Sequence, residues 1–249
     1  MQSVKTVIIP AAGMGNRLGS LTEDKPKCLV DVNGEPILKQ SLDALQEFGF
    51  DRIIIITGFM EDSIMGFIGR YNGPIRIETV HNNEFDKTNN IYSLFVSFPL
   101  LKDDEPFVIL ESDLIFEKSC IAVFRKPDLI ALDPYNPEIH SGTTARVSPD
   151  GYVEALYTQK DATIQDLYKT VNITSFSSKN VALFKKYVSL YVNQGRVNDY
   201  YEAAIESMIS LNNAKFKAVS FEDKIWGEID TQEDYSRVSN QFDVEQITR

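Results

Sequence analysis

Cysteine, histidine and positive charge are all scarce in this chain. Only two cysteines, Cys28 and Cys120, and two histidines, His81 and His140, occur in 249 residues. Two isolated cysteines cannot build a disulfide framework or a zinc site, so they read as free thiols of the cytoplasm. No apolar run approaches the roughly 18 residues of a membrane span, and no charged-then-apolar secretion signal opens the chain, so neither a membrane nor export is expected. With 25 Lys and Arg against 36 Asp and Glu, the net charge is −11. That balance argues against nucleic acid as a partner. The two histidines also leave no nucleophile–histidine pair, which turns attention away from acid–base chemistry.

What is present begins at the N-terminus. The β-branched run Val7-Ile8-Ile9 stops at Pro10, and Ala11-Ala12-Gly13-Met14-Gly15-Asn16-Arg17-Leu18 follows, with Pro26-Lys27 shortly after. This order predicts a strand delivering a glycine-rich loop whose backbone N–H groups face an anion. Glycine allows close backbone approach and positive φ there. Arg17 adds a forked cation and Lys27 a compact one. The spacing is not that of a Walker A loop or of a dinucleotide fingerprint, because Asn16, Arg17 and Leu18 follow Gly15. A net charge of −11 does not forbid an anion, since bulk charge is screened beyond about 8 Å.

The remaining pattern alternates strands and helices. Strands are expected at 4–10, 52–57 (four isoleucines), 74–80, 106–110, 128–133, 169–173 and 215–220. Residues 143–147 and 152–158 form a hairpin across Pro149-Asp150-Gly151. Helices are expected at 37–48, 61–70, 91–98, 178–193 and 200–211, and from Thr231 onward. Thr88, Asn89 or Asn90 would cap the third of these and Asn198 or Asp199 the fifth. The polar stretches 81–90 and 134–142 read as loops, the second able to close over a substrate. No repeat or low-complexity linker interrupts the chain, so residues 1–249 are read as a single α/β domain. Its sheet is doubly wound and mostly parallel, with helices on both faces. Ligands of such sheets lie beyond the carboxyl ends of the strands, where Asp113 is placed either to hold a phosphate-bound metal or to cap a turn.

The loop together with Pro26-Lys27 resembles the A-A-G-x-G-x-R-[LM]…P-K signature of the sugar-nucleotidyltransferase superfamily. Within it, Thr88-Asn89-Asn90-Ile91-Tyr92-Ser93-Leu94 resembles a stretch of the phosphocholine cytidylyltransferase branch, and Asn198-Asp199-Tyr200-Tyr201-Glu202 resembles an aromatic-acidic stretch near its head group. Glu111-Ser112-Asp113-Leu114-Ile115-Phe116-Glu117 and the ending Trp226-Gly227-Glu228-Ile229-Asp230 look nearer to 2-aminoethylphosphonate cytidylyltransferases. Around His140-Ser141-Gly142 the chain lacks the aromatics of the choline type.

The resemblance implies a Rossmann-like, GT-A-type fold and a Mg²⁺-dependent transfer of CMP from CTP to a small amino-headed acceptor. 2-Aminoethylphosphonate is the first expectation, and phosphocholine or phosphoethanolamine the next. It assigns Ala11, Ala12, Gly13, Met14 and Gly15 to the nucleotide phosphates, and Asn90 and Ser93 to the cytosine. Arg17 goes to the β/γ phosphates and Lys27 to the α-phosphoryl oxygens. Asp113 and Asp230 would hold one or two Mg²⁺ ions, although Asp230 also reads as a cap of the last helix. Glu111, Tyr200, Tyr201, Glu202 and Trp226 would meet the acceptor, the alternative being tyrosines that pack a helix start and a tryptophan in the core. A homodimer and membership of a larger fusion protein stay open. The rival functions are a sugar-1-phosphate uridylyl- or thymidylyltransferase and a non-catalytic nucleotide-binding module.

Overall fold

In the computed structural model, which describes residues 3–159 and 165–246, the chain opens with β1 (Thr6–Pro10), buried throughout. A short ribbon follows, β2 (Asp31–Val32) and β3 (Glu35–Pro36), turned by Asn33 and Gly34 at positive φ. Pro36 leads into α1 (Ile37–Glu47), whose Ile37, Leu38, Leu42 and Leu45 fall on one face and are buried. Then come β4 (Arg52–Thr57), α2 (Glu61–Ile68), β5 (Arg76–His81), α3 (Asn90–Ser97), β6 (Phe107–Leu110) and β7 (Leu114–Phe116). The second half contributes β8 (Leu129–Pro134), β9 (Thr144–Val147), β10 (Val153–Tyr157), β11 (Tyr168–Phe176), α4 (Ser178–Asn193) and α5 (Glu202–Asn212). β12 (Lys217–Ser220), β13 (Trp226–Glu228) and α6 (Gln232–Gln246) close it.

The main sheet runs β10-β9-β11-β6-β1-β4-β5, with β8 also paired to β11 and β12 to β8. Strands β6, β1, β4 and β5 are parallel, whereas β11 is antiparallel to β6, β8 and β9. Alternate residues serve opposite faces. Val7, Ile9, Ile53 and Ile55 join one core cluster, while Ile8, Ile54 and Ile56 join the other. An isoleucine run is thus what a strand covered on both faces requires, each fully buried side chain contributing about 1.5–3 kcal/mol.

A third cluster, formed by Leu18, Val30, Val32, Ile37, Ile115, Ile229 and Val238, ties the segment after β1 to α6. Above it β13 pairs antiparallel with β7, Leu114 opposite Glu228, and the Ile229 N–H donates to the Asp113 carbonyl at 3.1 Å. This ribbon, absent from the sequence reading, brings residues 113 and 230 together beyond the carboxyl end of β6.

The caps of α3 and α6 fall among those the sequence offered, and that of α5 does not. Asn89 caps α3, its side chain accepting from the Asn90 N–H. Neither Asn198 nor Asp199 caps α5; instead the Tyr201 N–H donates to Asn90 Oδ1 at 3.0 Å. At α6, Thr231 Oγ1 accepts from the Asp234 N–H while the Asp234 carboxylate accepts from the Thr231 N–H, a reciprocal cap that leaves Asp230 free.

Candidate active site

Close packing fixes the loop after β1. Ala11 and Ala12 are buried, and the Phe59 N–H donates to the Ala12 carbonyl at 3.0 Å. Gly58 lies so near that a Cβ there would come within 2.8 Å of the Ala12 oxygen and 2.7 Å of the Phe85 Cβ. Gly15 adopts φ +64°, and a Cβ on it would stand 3.2 Å from the Lys27 Cβ. Backbone approach and handedness thus both call for glycine.

The Lys27 ammonium lies 2.6 Å from Asp113 Oδ2 and 2.5 Å from Asp230 Oδ1. Arg17 Nη2 reaches the same Asp230 oxygen at 3.0 Å, with its side chain still 66% exposed. Burial pulls the Lys27 pKa down, but Asp113 and Asp230 outweigh it and hold the amine well above its ordinary value. Burial likewise pushes Asp230 up, and Lys27 overrides this to leave its carboxyl below the usual range. Asp113 Oδ1 is buried without a hydrogen-bond partner.

Two chambers meet at these residues. The larger, about 550 Å³, is lined by residues 10–17, Lys27, Phe85–Asn90, Ser93 and Asp113. Every residue expected at the nucleotide lines it: Ala11, Ala12, Gly13, Met14, Gly15, Asn90 and Ser93. Asn90, however, already spends its amide, donating to Glu111 Oε1 at 3.2 Å and accepting from the Tyr201 N–H. It braces α3 against β6 and α5, so its side chain is less free to read a base than the sequence suggested. Ser93 Oγ accepts from Asn82 Nδ2 at 3.1 Å.

The smaller chamber, about 270 Å³, is lined by Glu111, Glu202, Glu228, Lys169, Asn172 and Tyr200, and it shares Arg17, Asp113 and Asp230 with the larger. Lys169, 1% exposed, donates to Glu228 Oε1 at 3.0 Å, as does Asn172 at 2.5 Å. Burial pushes Glu228 up to about 7 against the pull of Lys169. Burial, with Asp113 and Glu202 beside it, raises Glu111, and burial raises Glu202.

Lys169, Asn172 and Glu228 had no role in the sequence reading. Asn172 is aimed by a left-handed residue (φ +60°) at the point where the pairing of β11 with β8 shifts between Thr170 and Thr174. Asparagine tolerates that conformation, but nothing in the local pattern marks a bulge.

Two residues expected at the acceptor stand outside the lining of the smaller chamber. The Tyr201 ring packs in the helical core, 6.4 Å from Phe184, because its turn of chain is held inward by Asn90. Trp226 stacks on His140 (5.7 Å, 29°) and lines a third cavity of about 710 Å³ beside Asp133 and Arg237, which Arg17, Glu228 and Asp230 also line. Tyr200, half exposed, lines both chambers of the site.

Among the described residues no group of three or more His, Cys, Asp or Glu side chains forms a metal cage. Asp113 and Asp230 nevertheless suit a hard divalent ion. They already share one cation, one oxygen of Asp113 lacks a partner, and Mg²⁺ is commonly held by one or two carboxylates plus substrate phosphates.

Comparison with known proteins agrees with this geometry. Residues 7–126 match the family model of the MobA-like NTP transferase domain. Over 250 residues the chain is 26% identical to the CTP:phosphoglutamine cytidylyltransferase of Campylobacter jejuni, covering 91% of this chain and 96% of that protein. It is 34% identical over 108 residues to the 2-aminoethylphosphonate cytidylyltransferase of Lancefieldella rimae, 43% of this chain and 42% of that one. The solved CTP:phosphocholine cytidylyltransferase of Streptococcus pneumoniae shares the fold, with TM-score 0.78 and 21% identity over 96% of this chain and 98% of that one. The chain thus carries a match to the MobA-like NTP transferase domain over residues 7–126, and the relatives it resembles are named nucleotidyltransferases.

Proposed function

We propose that this protein is a cytidylyltransferase, moving CMP from CTP to a small amino-headed phosphonate or phosphate and releasing pyrophosphate. 2-Aminoethylphosphonate is the first acceptor, with phosphocholine and phosphoethanolamine next. The observation that carries the reading is the meeting of two chambers at Lys27, Asp113 and Asp230. The names of the relatives support the cytidylyl specificity.

In this reaction an acceptor oxygen bonds the α-phosphorus of CTP while the bond to the bridging oxygen of pyrophosphate breaks. The acceptor oxygen is already anionic near neutral pH, so no general base is needed. The work is to bring two anions together and neutralise the charge that builds up. Lys27 serves the α-phosphoryl oxygens and the exposed Arg17 the β/γ phosphates, each exchanging its contact to Asp230 for one to phosphate. The loop after β1 lends its backbone N–H groups. Mg²⁺ held by Asp113 and Asp230 supplies further neutralisation of the phosphates when bound.

The test is pyrophosphate release in the presence of Mg²⁺ from CTP, UTP and dTTP in turn, with amino-headed acceptors and with sugar 1-phosphates. The expected result is turnover of CTP with an amino-headed acceptor, abolished by EDTA. Turnover confined to UTP or dTTP with a sugar phosphate would instead identify a sugar nucleotidyltransferase.

A further inference from the structure

The smaller chamber holds more carboxyl groups than its own cations answer. Glu111, Glu202 and Glu228 line it, and Asp113 stands where it meets the nucleotide chamber. Lys169 is the buried cation within, and it is spent on Glu228 and on the Thr170 carbonyl at 2.6 Å. Glu202 is 6% exposed, yet its Oε2 has no hydrogen-bond partner. The hydroxyl of Tyr201, which lies close to Glu202 and Glu111, is in the same state. Buried polar atoms are nearly always partnered, so this group of orphaned oxygens marks a place for donors supplied by a ligand.

We infer that the chamber selects a primary ammonium head group over a trimethylammonium one, with Glu202 as the specificity-determining residue. The inference rests on the transferase reading and adds the chemical class of the head. A primary ammonium brings three N–H donors and a positive charge into a space of about 270 Å³. A trimethylammonium brings the charge but no donor, leaving the buried oxygens unsatisfied, at a cost of roughly ten- to hundredfold in affinity. Quaternary heads are instead held by several aromatic faces. Among the described lining residues the chamber offers one ring, Tyr200, itself 48% exposed, while Trp226 faces the neighbouring cavity.

The experiment compares 2-aminoethylphosphonate with its N,N,N-trimethyl analogue on the wild type, Glu202→Gln and Glu202→Asp, by pyrophosphate release at saturating CTP and Mg²⁺. The wild type should favour the primary amine by about 10²-fold or more in kcat/KM. Glu202→Gln should lose about 10- to 100-fold on the primary amine through KM, little on the trimethyl compound, and nothing in KM for CTP. Glu202→Asp, which keeps the charge, should recover part of the loss. Equal or better use of the trimethyl compound by the wild type overturns the inference, as does an equal loss on both acceptors in Glu202→Gln. Calorimetric titration of the two acceptors into the wild type without nucleotide separates the two readings. A preference for the primary amine there, without CTP turnover, sinks the cytidylyl assignment and keeps the head-group selection. No preference there sinks the head-group selection whichever nucleotide is used.

Discussion

Lys27 answers two carboxylates with one ammonium, and the three groups are largely buried together. Removing the cation leaves Asp113 and Asp230 facing each other, a like-charge pair in a partly dry site. Lys27→Met should therefore lower kcat by about 10²–10³, as expected when a preorganised charge is taken from a developing oxyanion. The same variant should bind Mn²⁺ more tightly than the wild type without nucleotide, because no ammonium competes for the two carboxylates. Mn²⁺ titration followed by electron paramagnetic resonance checks this, and equal affinity in the two proteins would show that Lys27 does not compete there. Lys27 was legible in the sequence because the Pro-Lys pair follows the glycine turn at a distinctive interval. Lys169 and Asn172 were not, because a lysine and an asparagine inside an ordinary strand carry no sign that a bulge turns them toward a cavity.

At the scale of elements, the loop at 135–142 and β13 are coupled through His140 and Trp226. Burial lowers the His140 pKa to about 4, with Lys169 and Arg237 adding to the effect. Its ring is neutral at pH 7, so the 3.9 Å approach to Asp133 is not an ion pair there. The sign follows directly. The unfolded chain takes up the proton near pH 6.5 and the folded protein only near 4, so stability falls as pH drops through that interval. His140→Gln should lose less stability than the wild type between pH 6.5 and 4, as measured by urea unfolding at several pH values. Parallel pH profiles in the two proteins would rule the histidine out as the cause. Most elements were readable: Arg52–Thr57 matches the expected span and α4 coincides with 178–193. Caps were less so, since the start of α5 is satisfied by Asn90 from a distant part of the chain.

For the whole molecule, a net charge of −11 is compatible with the two anionic substrates proposed, because Arg17, Lys27 and Lys169 are concentrated around the two chambers. A ligand bound only by the folded state stabilises it by about 2.7 kcal/mol at 100 times Kd. For a domain of this size that corresponds to a rise in Tm of roughly 5–10 °C. CTP with Mg²⁺ should produce such a rise, and UTP or ATP at the same concentration a smaller one. Equal shifts with all three would argue against a cytosine-reading chamber. No helix among the described residues is long and apolar enough to cross a membrane.

The sequence alone determined what local chemistry determines. Apolar periodicity set the strands and helices, the glycines and small alanines set the loop after β1, and Thr231 with Asp234 set the start of α6. Each depends on residues a few positions apart, whose preferences are written in neighbouring side chains. Only the tertiary structure decided that Lys27 meets Asp113 and Asp230 across 86 and 203 positions, that Trp226 lines the cavity beside Asp133, and that Glu228 is buried beside Lys169. Those outcomes follow from strand register and from the pairing of β7 with β13. A shift of one residue there would exchange the faces of the ribbon, and no short stretch of sequence encodes it.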